Sequence, residues 1–266
     1  MEPTLSLEVT DAVATVTLDK TTMPPRFFDE CAAMFEELSA RPGLRAVVIE
    51  ARGKGFSYGL DLPAAFGELG PLLAANSAAG RARLHALIVR FQRAFEAIAA
   101  CPVPVIAAVH GWCIGGGLDL ISACDIRLAT RDARFSLRET KIAIVADIGS
   151  LQRLPAIIGD GALRELAFTG KDIDADRALA IGLVNQLYDD RDALAAGARQ
   201  MAAEIAANAP LTVRGVKQVL DFGADKSVAE GLAYVAAWNS AFLSGEDLGE
   251  AIAAFAAKRK PEFPDR

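Results

Sequence analysis

Two segments of the chain carry a short apolar run, a cluster of glycines and an acidic residue in the same order. In the first, the run at 46–50 precedes the sequence GFSYGLDL at 55–62. In the second, the run at 104–109 precedes HGWCIGGGLD at 110–119. Short apolar runs bounded by glycines are typical of buried strands. Each segment therefore predicts a buried strand, a glycine turn and the start of a helix.

The rest of the sequence divides into a mixed part and a helical part. The opening alternates with period two on either side of Asp11, which indicates a hairpin. Helical spacing follows at 27–38 and again at 80–100, and strand and helix patterns alternate up to residue 187. Beyond residue 190 the patterns are helical. This order favours a wound α/β architecture with a helical region behind it.

Composition and charge narrow the function classes. The chain has 34 Asp and Glu against 28 Lys and Arg, and the basic residues are scattered, which argues against a nucleic-acid partner. No apolar stretch approaches the roughly 18 residues of a membrane-spanning helix. The N-terminus lacks a signal-peptide pattern and the C-terminal Pro264-Asp265-Arg266 is not a usual peroxisomal tripeptide, so we expect a cytoplasmic protein with no membrane partner. Four cysteines and two histidines are too few for a disulfide framework or a histidine-rich metal site.

The glycine turns have two interpretations. Free main-chain N–H groups cluster where a helix begins, and the helix dipole adds partial positive charge there. Two such turns facing each other can hold the oxygen of a thioester carbonyl as it gains negative charge. Glycines at 115–117 could equally pack a helix closely against a sheet. A dinucleotide site is disfavoured, because Leu120 stands where the last glycine of G-x-G-x-x-G belongs. His110, without a Ser or Cys nucleophile motif, is expected to be structural.

Three acidic residues in or beside apolar sequence are candidate proton carriers. Asp119 follows the triple glycine, Glu139 follows a short strand pattern, and Asp147 lies in the apolar run 142–149. Asp119 could instead interact with a helix dipole, and Glu139 could be an exposed ion-pair partner. Asp147 could cap a helix beginning near Ile148. Apolar surroundings raise the pKa of a carboxyl group, and several such groups around one pocket could move protons between carbons.

Four segments, taken in order along the chain, resemble the crotonase superfamily of coenzyme A-thioester enzymes. Residues 55–62 resemble its F-S-x-G-x-D-L element, and residues 115–126 its G-G-G-x-D/E-L element with the Cys-Asp-Ile strand that follows. Residues 182–185 resemble its G-L-V-x-x-V element, and residues 255–263 its terminal F-x-x-K-R-x-P-x-F element. The match spans nearly the whole chain.

This resemblance implies a spiral of β-β-α turns over residues 1–195 and a helical trimerisation region over 196–266. Such proteins act on an acyl-CoA thioester, use no cofactor or metal besides the coenzyme A of the substrate, and assemble as trimers or dimers of trimers. The backbone N–H groups of Tyr58 and Gly116 are expected to form the oxyanion hole. The same resemblance places a set of residues from both glycine segments against the substrate: Ser57, Tyr58, Gly59, Leu60, Asp61 and Gly116.

The stretch 115–159 is similar in type to the Δ3,5-Δ2,4-dienoyl-CoA isomerases of this superfamily. Hydratases commonly have glutamates at positions 119 and 139 and a glycine at 147, whereas this chain has Asp119, Glu139 and Asp147. The resemblance implies that Glu139 takes a proton from C2 of a 3,5-dienoyl-CoA and that Asp147 delivers one to C6. Asp119 would adjust or position Glu139. Two alternatives stay open: hydration of a 2-enoyl-CoA by Glu139 and Asp119, and non-catalytic binding of an acyl-CoA.

Overall fold

The computed structural model describes residues 2–75 and 77–264. Within these ranges nine strands form two sheets. The strands are β1 (Leu5–Thr10), β2 (Val13–Leu18), β3 (Ala46–Ala51), β4 (Val105–Val109), β5 (Trp112–Ile114), β6 (Ile126–Thr130), β7 (Arg134–Ser136), β8 (Asp172–Asp174) and β9 (Gln186–Tyr188). The larger sheet has the order β1-β2-β3-β4-β6-β9 and is parallel except for the predicted β1–β2 hairpin; the smaller has the order β5-β7-β8. Asp265 and Arg266 of the C-terminal tripeptide considered above lie outside the described residues.

Helices alternate with the strands in the mixed part and stand alone in the C-terminal part. The mixed part contains α1 (Pro25–Ala40), α2 (Leu62–Ala74), α3 (Ala78–Ala99), α4 (Gly116–Ser122), α5 (Ser150–Ile158), α6 (Asp160–Thr169) and α7 (Ala175–Ala180), with a 3₁₀ turn at Glu139–Ile142. The C-terminal part contains α8 (Arg191–Ala206), α9 (Pro210–Gly223), α10 (Val228–Phe242) and α11 (Gly245–Ala256). The predicted α/β class is confirmed.

The larger sheet is buried on both faces, because β3 and β4 are almost continuously apolar. Val47 and Ile49 of β3 belong to the main core together with side chains of α1 and α3. Ala46 and Val48 point to the opposite face. There α8 covers the sheet with three small or apolar side chains, Leu194, Ala198 and Ala202. Parallel strands need such cover on both faces, so this helix is part of the packed sheet.

The predicted boundary between residues 1–195 and 196–266 falls inside α8. The division into two domains stays a prediction. Helices α9 to α11 expose large apolar side chains, among them Leu220, Val228 and Phe255, the last 86% exposed. In the part of the chain that the structure describes, no helix is both long enough and apolar enough to cross a membrane.

The two glycine segments follow β3 and β4 as predicted. After β4, Gly111 turns the chain with a φ of +57°, and a Cβ there would lie 2.8 Å from the Lys54 carbonyl oxygen. The chain then forms β5, which pairs with β7, before α4 begins at Gly116. The sequence did not indicate β5, because three residues give no periodicity signal. A parallel bridge between Ser57 and Cys113 brings the first segment alongside the second.

Candidate active site

One cavity of about 130 Å³ brings together the three acidic residues singled out in the sequence. Asp119 comes from α4, Glu139 from the 3₁₀ turn and Asp147 from the segment before α5. The other lining residues are mainly apolar or glycine: Phe28, Tyr58, Gly59, Leu60, Leu62, Phe91, Ile114, Gly115, Gly116, Arg138, Ile142, Ile144 and Ile148. One water needs only about 10–15 Å³, so the cavity has room for several atoms of a ligand between the acids.

The two glycine segments meet at one wall of this cavity. A Cβ on Gly59 would lie 2.8 Å from the Ile114 carbonyl oxygen and 3.1 Å from the Gly116 nitrogen, and Gly59 has a φ of +78°. A Cβ on Gly117 would lie 2.9 Å from the Ser57 Cβ. Real Cβ atoms do not approach other atoms so closely, so glycine is required at both places. The close packing of the two segments also brings their main-chain N–H groups together.

The structure corrects the oxyanion-hole prediction at its first member. The Tyr58 N–H donates to the Thr21 carbonyl oxygen at 2.7 Å and is therefore already used. The Met23 N–H donates to the Gly59 carbonyl oxygen (2.8 Å), and the Met23 carbonyl oxygen accepts from the Asp61 N–H (2.9 Å). Because successive N–H groups of extended chain point to opposite sides, the intervening Leu60 N–H points away from Met23.

The Leu60 nitrogen lies beside Gly116, 3.7 Å from the position of a Cβ built there. Neither the Leu60 N–H nor the Gly116 N–H has a hydrogen-bond partner among the described residues. The geometry therefore makes Leu60 and Gly116 the pair of free donors. The glycine motif indicated the turn, but which N–H is free depends on the pairing with residue 23, which no local pattern shows.

Glu139 is partly buried beside Gly115 and is not the exposed ion-pair partner considered from the sequence. A Cβ on Gly115 would lie 3.1 Å from Glu139 Oε1, and Gly115 has a φ of +53°. Within the described residues, Glu139 Oε2 is buried without a hydrogen-bond partner. Burial, followed by the negative charge of Asp119 and then that of Asp147, raises the pKa of Glu139 from 4.5 to about 7. Glu139 can therefore gain or lose a proton near neutral pH.

Asp119 is completely buried, and its carboxylate binds the first turn of a different helix. Its Oδ1 accepts a hydrogen bond from the Ser150 N–H of α5 at 2.7 Å. In the described part of the chain, its Oδ2 has no partner. Burial, and to a smaller extent the Asp147 charge, raise the pKa of Asp119 to about 6 against the lowering effect of the Ser150 hydrogen bonds. The Asp119 carboxylate thus interacts with the dipole of α5 and not with that of its own helix, α4.

Asp147 is not an N-cap, contrary to the structural alternative considered from the sequence. Helix α5 begins at Ser150 and its N-cap is Gly149, with a φ of +133°. Asp147 is half-buried at the cavity, and burial raises its pKa above the usual range. Its main-chain carbonyl oxygen accepts a hydrogen bond from Gln92 Nε2 at 2.7 Å.

Three other residues named from the sequence do not line the cavity. Ser57 Oγ accepts from the Gly59 N–H at 3.1 Å and so supports the turn. Asp61 caps α2 by accepting from the Ala64 N–H at 3.1 Å, and the helix start predicted there is confirmed. His110 is buried and its Nε2 donates to the Gly53 carbonyl oxygen at 2.9 Å, while burial lowers the His110 pKa.

Arg138 and the aromatic pair Phe28 and Phe91 carried no sequence signal for the site. The Arg138 guanidinium binds both carboxylate oxygens of Asp172 at 2.7 Å and lies 5.3 Å from the centre of the Trp112 ring. Phe28 of α1 and Phe91 of α3 stack at 4.1 Å where these two helices meet the cavity. These positions depend on how distant elements pack, so local patterns do not reveal them.

Together these groups have the chemistry that proton transfer on a carbonyl compound requires. Burial raises the pKa of all three carboxyl groups, to about 6 for Asp119 and about 7 for Glu139, so these two can be protonated or ionised close to neutral pH. Two adjacent main-chain N–H groups, of Leu60 and Gly116, can donate to an oxygen that gains negative charge. Most of the side chains around these groups are apolar.

The chain is similar to known proteins in both sequence and fold. The family model described as enoyl-CoA hydratase/isomerase matches residues 8–266. Over 245 residues the chain is 43% identical to the mitochondrial Δ(3,5)-Δ(2,4)-dienoyl-CoA isomerase of Dictyostelium discoideum, covering 91% of this chain and 82% of that protein. It is 33% identical over 264 residues to the (E)-benzylidenesuccinyl-CoA hydratase of Thauera aromatica, covering 97% and 98%.

The crystal structure of an enoyl-CoA hydratase from Bacillus anthracis matches the fold with a TM-score of 0.89 at 28% identity, covering 99% of this chain and 100% of that one. The predicted crotonase fold and the resemblance to dienoyl-CoA isomerases are both confirmed. On this evidence the chain is an enzyme that belongs to the enoyl-CoA hydratase/isomerase family.

Proposed function

We propose that this enzyme converts a 3,5-dienoyl-CoA into the conjugated 2,4-dienoyl-CoA. The observation that carries the proposal is the convergence of Asp119, Glu139 and Asp147 on one apolar cavity beside two free main-chain donors. A second proton carrier, set apart from the base, is needed when a proton must be returned to a carbon far from the one that lost it. The Dictyostelium discoideum relative named as a dienoyl-CoA isomerase, 43% identical, supports the same reaction.

The proposed reaction moves one proton off C2 and places one on C6. The Leu60 and Gly116 N–H groups hold the thioester oxygen, which makes the C2 proton acidic. Glu139, with a pKa of about 7, takes this proton, and the electron pair spreads through a dienolate to C6. Protonated Asp147 delivers its proton to C6 as the double bonds settle at positions 2 and 4. Proton exchange then returns Glu139 to the ionised form and Asp147 to the protonated form.

Asp119 acts on the base and not on the substrate carbon chain in this scheme. Its negative charge raises the pKa of Glu139, and its own carboxylate is fixed by the Ser150 N–H. The proposed reaction uses only carboxyl groups and main-chain N–H donors. We therefore propose that no cofactor takes part beyond the coenzyme A of the substrate.

Hydration of a 2-enoyl-CoA is the second candidate. Glu139 and Asp119 are close enough for the charge of one to raise the pKa of the other, and a water between two such carboxyl groups could be activated. The Thauera aromatica relative is named as a hydratase. This reaction gives Asp147 no task.

The test is to follow the ultraviolet absorbance of the conjugated thioester after adding a 3,5-dienoyl-CoA. We expect the band to grow with the wild type and to be lost with Glu139→Gln and Asp147→Asn. Asp61→Asn is the matched control, because Asp61 caps α2 outside the cavity lining. If the wild type instead removes the conjugation of a 2-enoyl-CoA, and Asp147→Asn does so equally well, the protein is a hydratase.

We also propose that the chain self-associates as a trimer or a dimer of trimers. Exposed apolar side chains on α9 to α11, such as Leu220, Val228 and Phe255, support burial against other copies. Sedimentation at several protein concentrations tests this, and a monomer at all of them would contradict it. The cytoplasmic location stays a prediction.

A further inference from the structure

The segment that carries Asp147 lies between the 3₁₀ turn and α5 and is held from both sides. On one side, Gln92 Nε2 of α3 donates to the Asp147 carbonyl oxygen at 2.7 Å. One turn further along α3, Glu96 Oε1 binds Arg153 Nη2 of α5 at 2.5 Å. On the other side, the Ser150 N–H donates to Asp119. The segment is thus fixed between α3 and α4.

The three acids differ in what holds their carboxyl groups. Asp119 is held directly, through the Ser150 N–H. Among the described residues, none donates a hydrogen bond from its side chain to the Asp147 carboxylate, which interacts with its own main chain. The place of this carboxylate in the cavity therefore depends on the main chain at residue 147, and the Gln92 amide is what binds that main chain.

Gln92 is suited to this role by its place on α3. It is half-buried, and the preceding residue, Phe91, lines the cavity and stacks on Phe28. The rigid helix therefore fixes the Gln92 amide relative to the cavity wall. Gly149 has a φ of +133°, a conformation that only glycine adopts readily. Because glycine has few conformational restrictions, this residue does not itself hold the segment in place.

We propose that Gln92 is a positioning residue for Asp147. Its amide sets the main chain at residue 147 so that the Asp147 carboxyl group faces the C6 end of the bound dienolate. This inference rests on the proposed isomerisation. It predicts that losing the amide weakens delivery of the proton to C6 and leaves removal of the proton from C2 intact, because Glu139, Leu60 and Gly116 are not in contact with Gln92 in the hydrogen-bond network.

The experiment separates the two proton transfers in D₂O. Deuterium entering C2 of recovered 3,5-dienoyl-CoA measures the Glu139 step, and growth of the 2,4-dienoyl band measures the whole reaction. For Gln92→Leu, which keeps the size but not the donor, we expect kcat to fall about 10- to 100-fold with KM within about twofold of wild type, since small misplacements of a reacting group have effects of this order. Exchange at C2 should continue at the wild-type rate.

Two further variants calibrate this result. Asp147→Asn should stop the band while exchange at C2 continues, which defines the full effect of losing the C6 donor. Arg93→Met is the matched control: Arg93 neighbours Gln92 on α3 but binds Glu36 of α1 on the exposed side, at 2.6 Å. Its kinetics should equal those of wild type. Hydrogen–deuterium exchange of the peptide 143–149 should be faster in Gln92→Leu than in Arg93→Met.

Each outcome decides the matter. A Gln92→Leu enzyme with wild-type kcat, or with unchanged amide exchange at 143–149, overturns the positioning role. So does a fall of C2 exchange in step with isomerisation, because that indicates general damage to the site. If the wild type forms no 2,4-dienoyl band, the proposed function fails, and this inference fails with it. That case is recognised from the wild type alone, because there is then no band for Asp147→Asn to abolish.

Discussion

Replacing Glu139 by glutamine should inactivate the enzyme and make its folded state more stable above neutral pH. The Glu139 carboxyl group is partly buried, and its Oε2 has no partner in the described part of the chain. Burial and the charges of Asp119 and Asp147 disfavour its ionised form, so the pKa rises from 4.5 to about 7. Glutamine has nearly the same shape and no charge, so it avoids this penalty.

The size and sign of the effect follow from the two pKa values. One pKa unit corresponds to about 1.4 kcal/mol, so ionising Glu139 in the folded state is disfavoured by about 3 kcal/mol. Because the folded pKa lies above the unfolded one, the folded state binds more protons between pH 4.5 and about 7, and the free energy of unfolding falls as pH rises through that window. We expect Glu139→Gln to be more stable than wild type by about 2–3 kcal/mol at pH 8 and by less than about 1 kcal/mol at pH 5.

Urea unfolding followed by circular dichroism at pH 5 and pH 8 measures this difference. All proteins must be compared at one concentration, since self-association would add to the apparent stability. Glu37→Gln, on the exposed face of α1, is the control and should match wild type at both pH values. Equal stability of wild type and Glu139→Gln at pH 8, or a gain that is the same at pH 5, would refute the electrostatic account of the site.

Three further substitutions probe the site and its support. Asp119→Asn should move the acid limb of the kcat/KM profile, expected near pH 7, to lower pH, because the Asp119 charge is the second cause, after burial, of the raised pKa of Glu139; an unmoved limb would contradict this. Gly115→Ala should lower kcat about 100-fold in the isomerase assay, since φ is +53° and the new Cβ would lie 3.1 Å from Glu139 Oε1. Lys217→Met should lower the urea-unfolding free energy by about 2–3 kcal/mol, because the Asp125 carboxylate loses the ammonium group bound at 2.7 Å.

The fold was predictable where neighbouring residues decide the structure. Strands β3 and β4, the β1–β2 hairpin, α3 and the helices after β9 all follow from local periodicity and turn residues. Strand β5 was not predictable, because three residues form it only when Gly111 turns the chain toward β7. The packing of α8 on the sheet face through Leu194 and Ala198 was not predictable either, because this contact joins residues far apart in sequence.

The three acids of the site were predictable from the sequence, but only one of the two main-chain donors, Gly116, was. All three line the cavity. Apolar sequence around Asp119 and Asp147 indicated burial, whereas Glu139, between Arg138 and Thr140, was indicated by the strand before it and by the family resemblance. Whether the Tyr58 N–H or the Leu60 N–H is free depends on which of them is bound by the segment that contains Thr21 and Met23. That segment is far from residues 58–60 in sequence. A glycine motif shows that a turn exists and leaves the direction of each N–H undetermined.

The hydrogen-bond partners of the carboxylate oxygens differ between Asp119 and Glu139, which we propose to serve chemistry, and the acids that serve the fold. Asp61 and Asp125 also follow glycine or apolar sequence, but their carboxylates bind N–H groups, a hydroxyl or an ammonium group. Asp119 and Glu139 each keep one buried oxygen that no described residue binds, a state that disfavours folding by about 1–3 kcal/mol per group. A neutral substitution should therefore stabilise the fold at position 139 and destabilise it at position 125. The sign of the stability change thus distinguishes the unpartnered Glu139 from the structural Asp125 independently of any substrate.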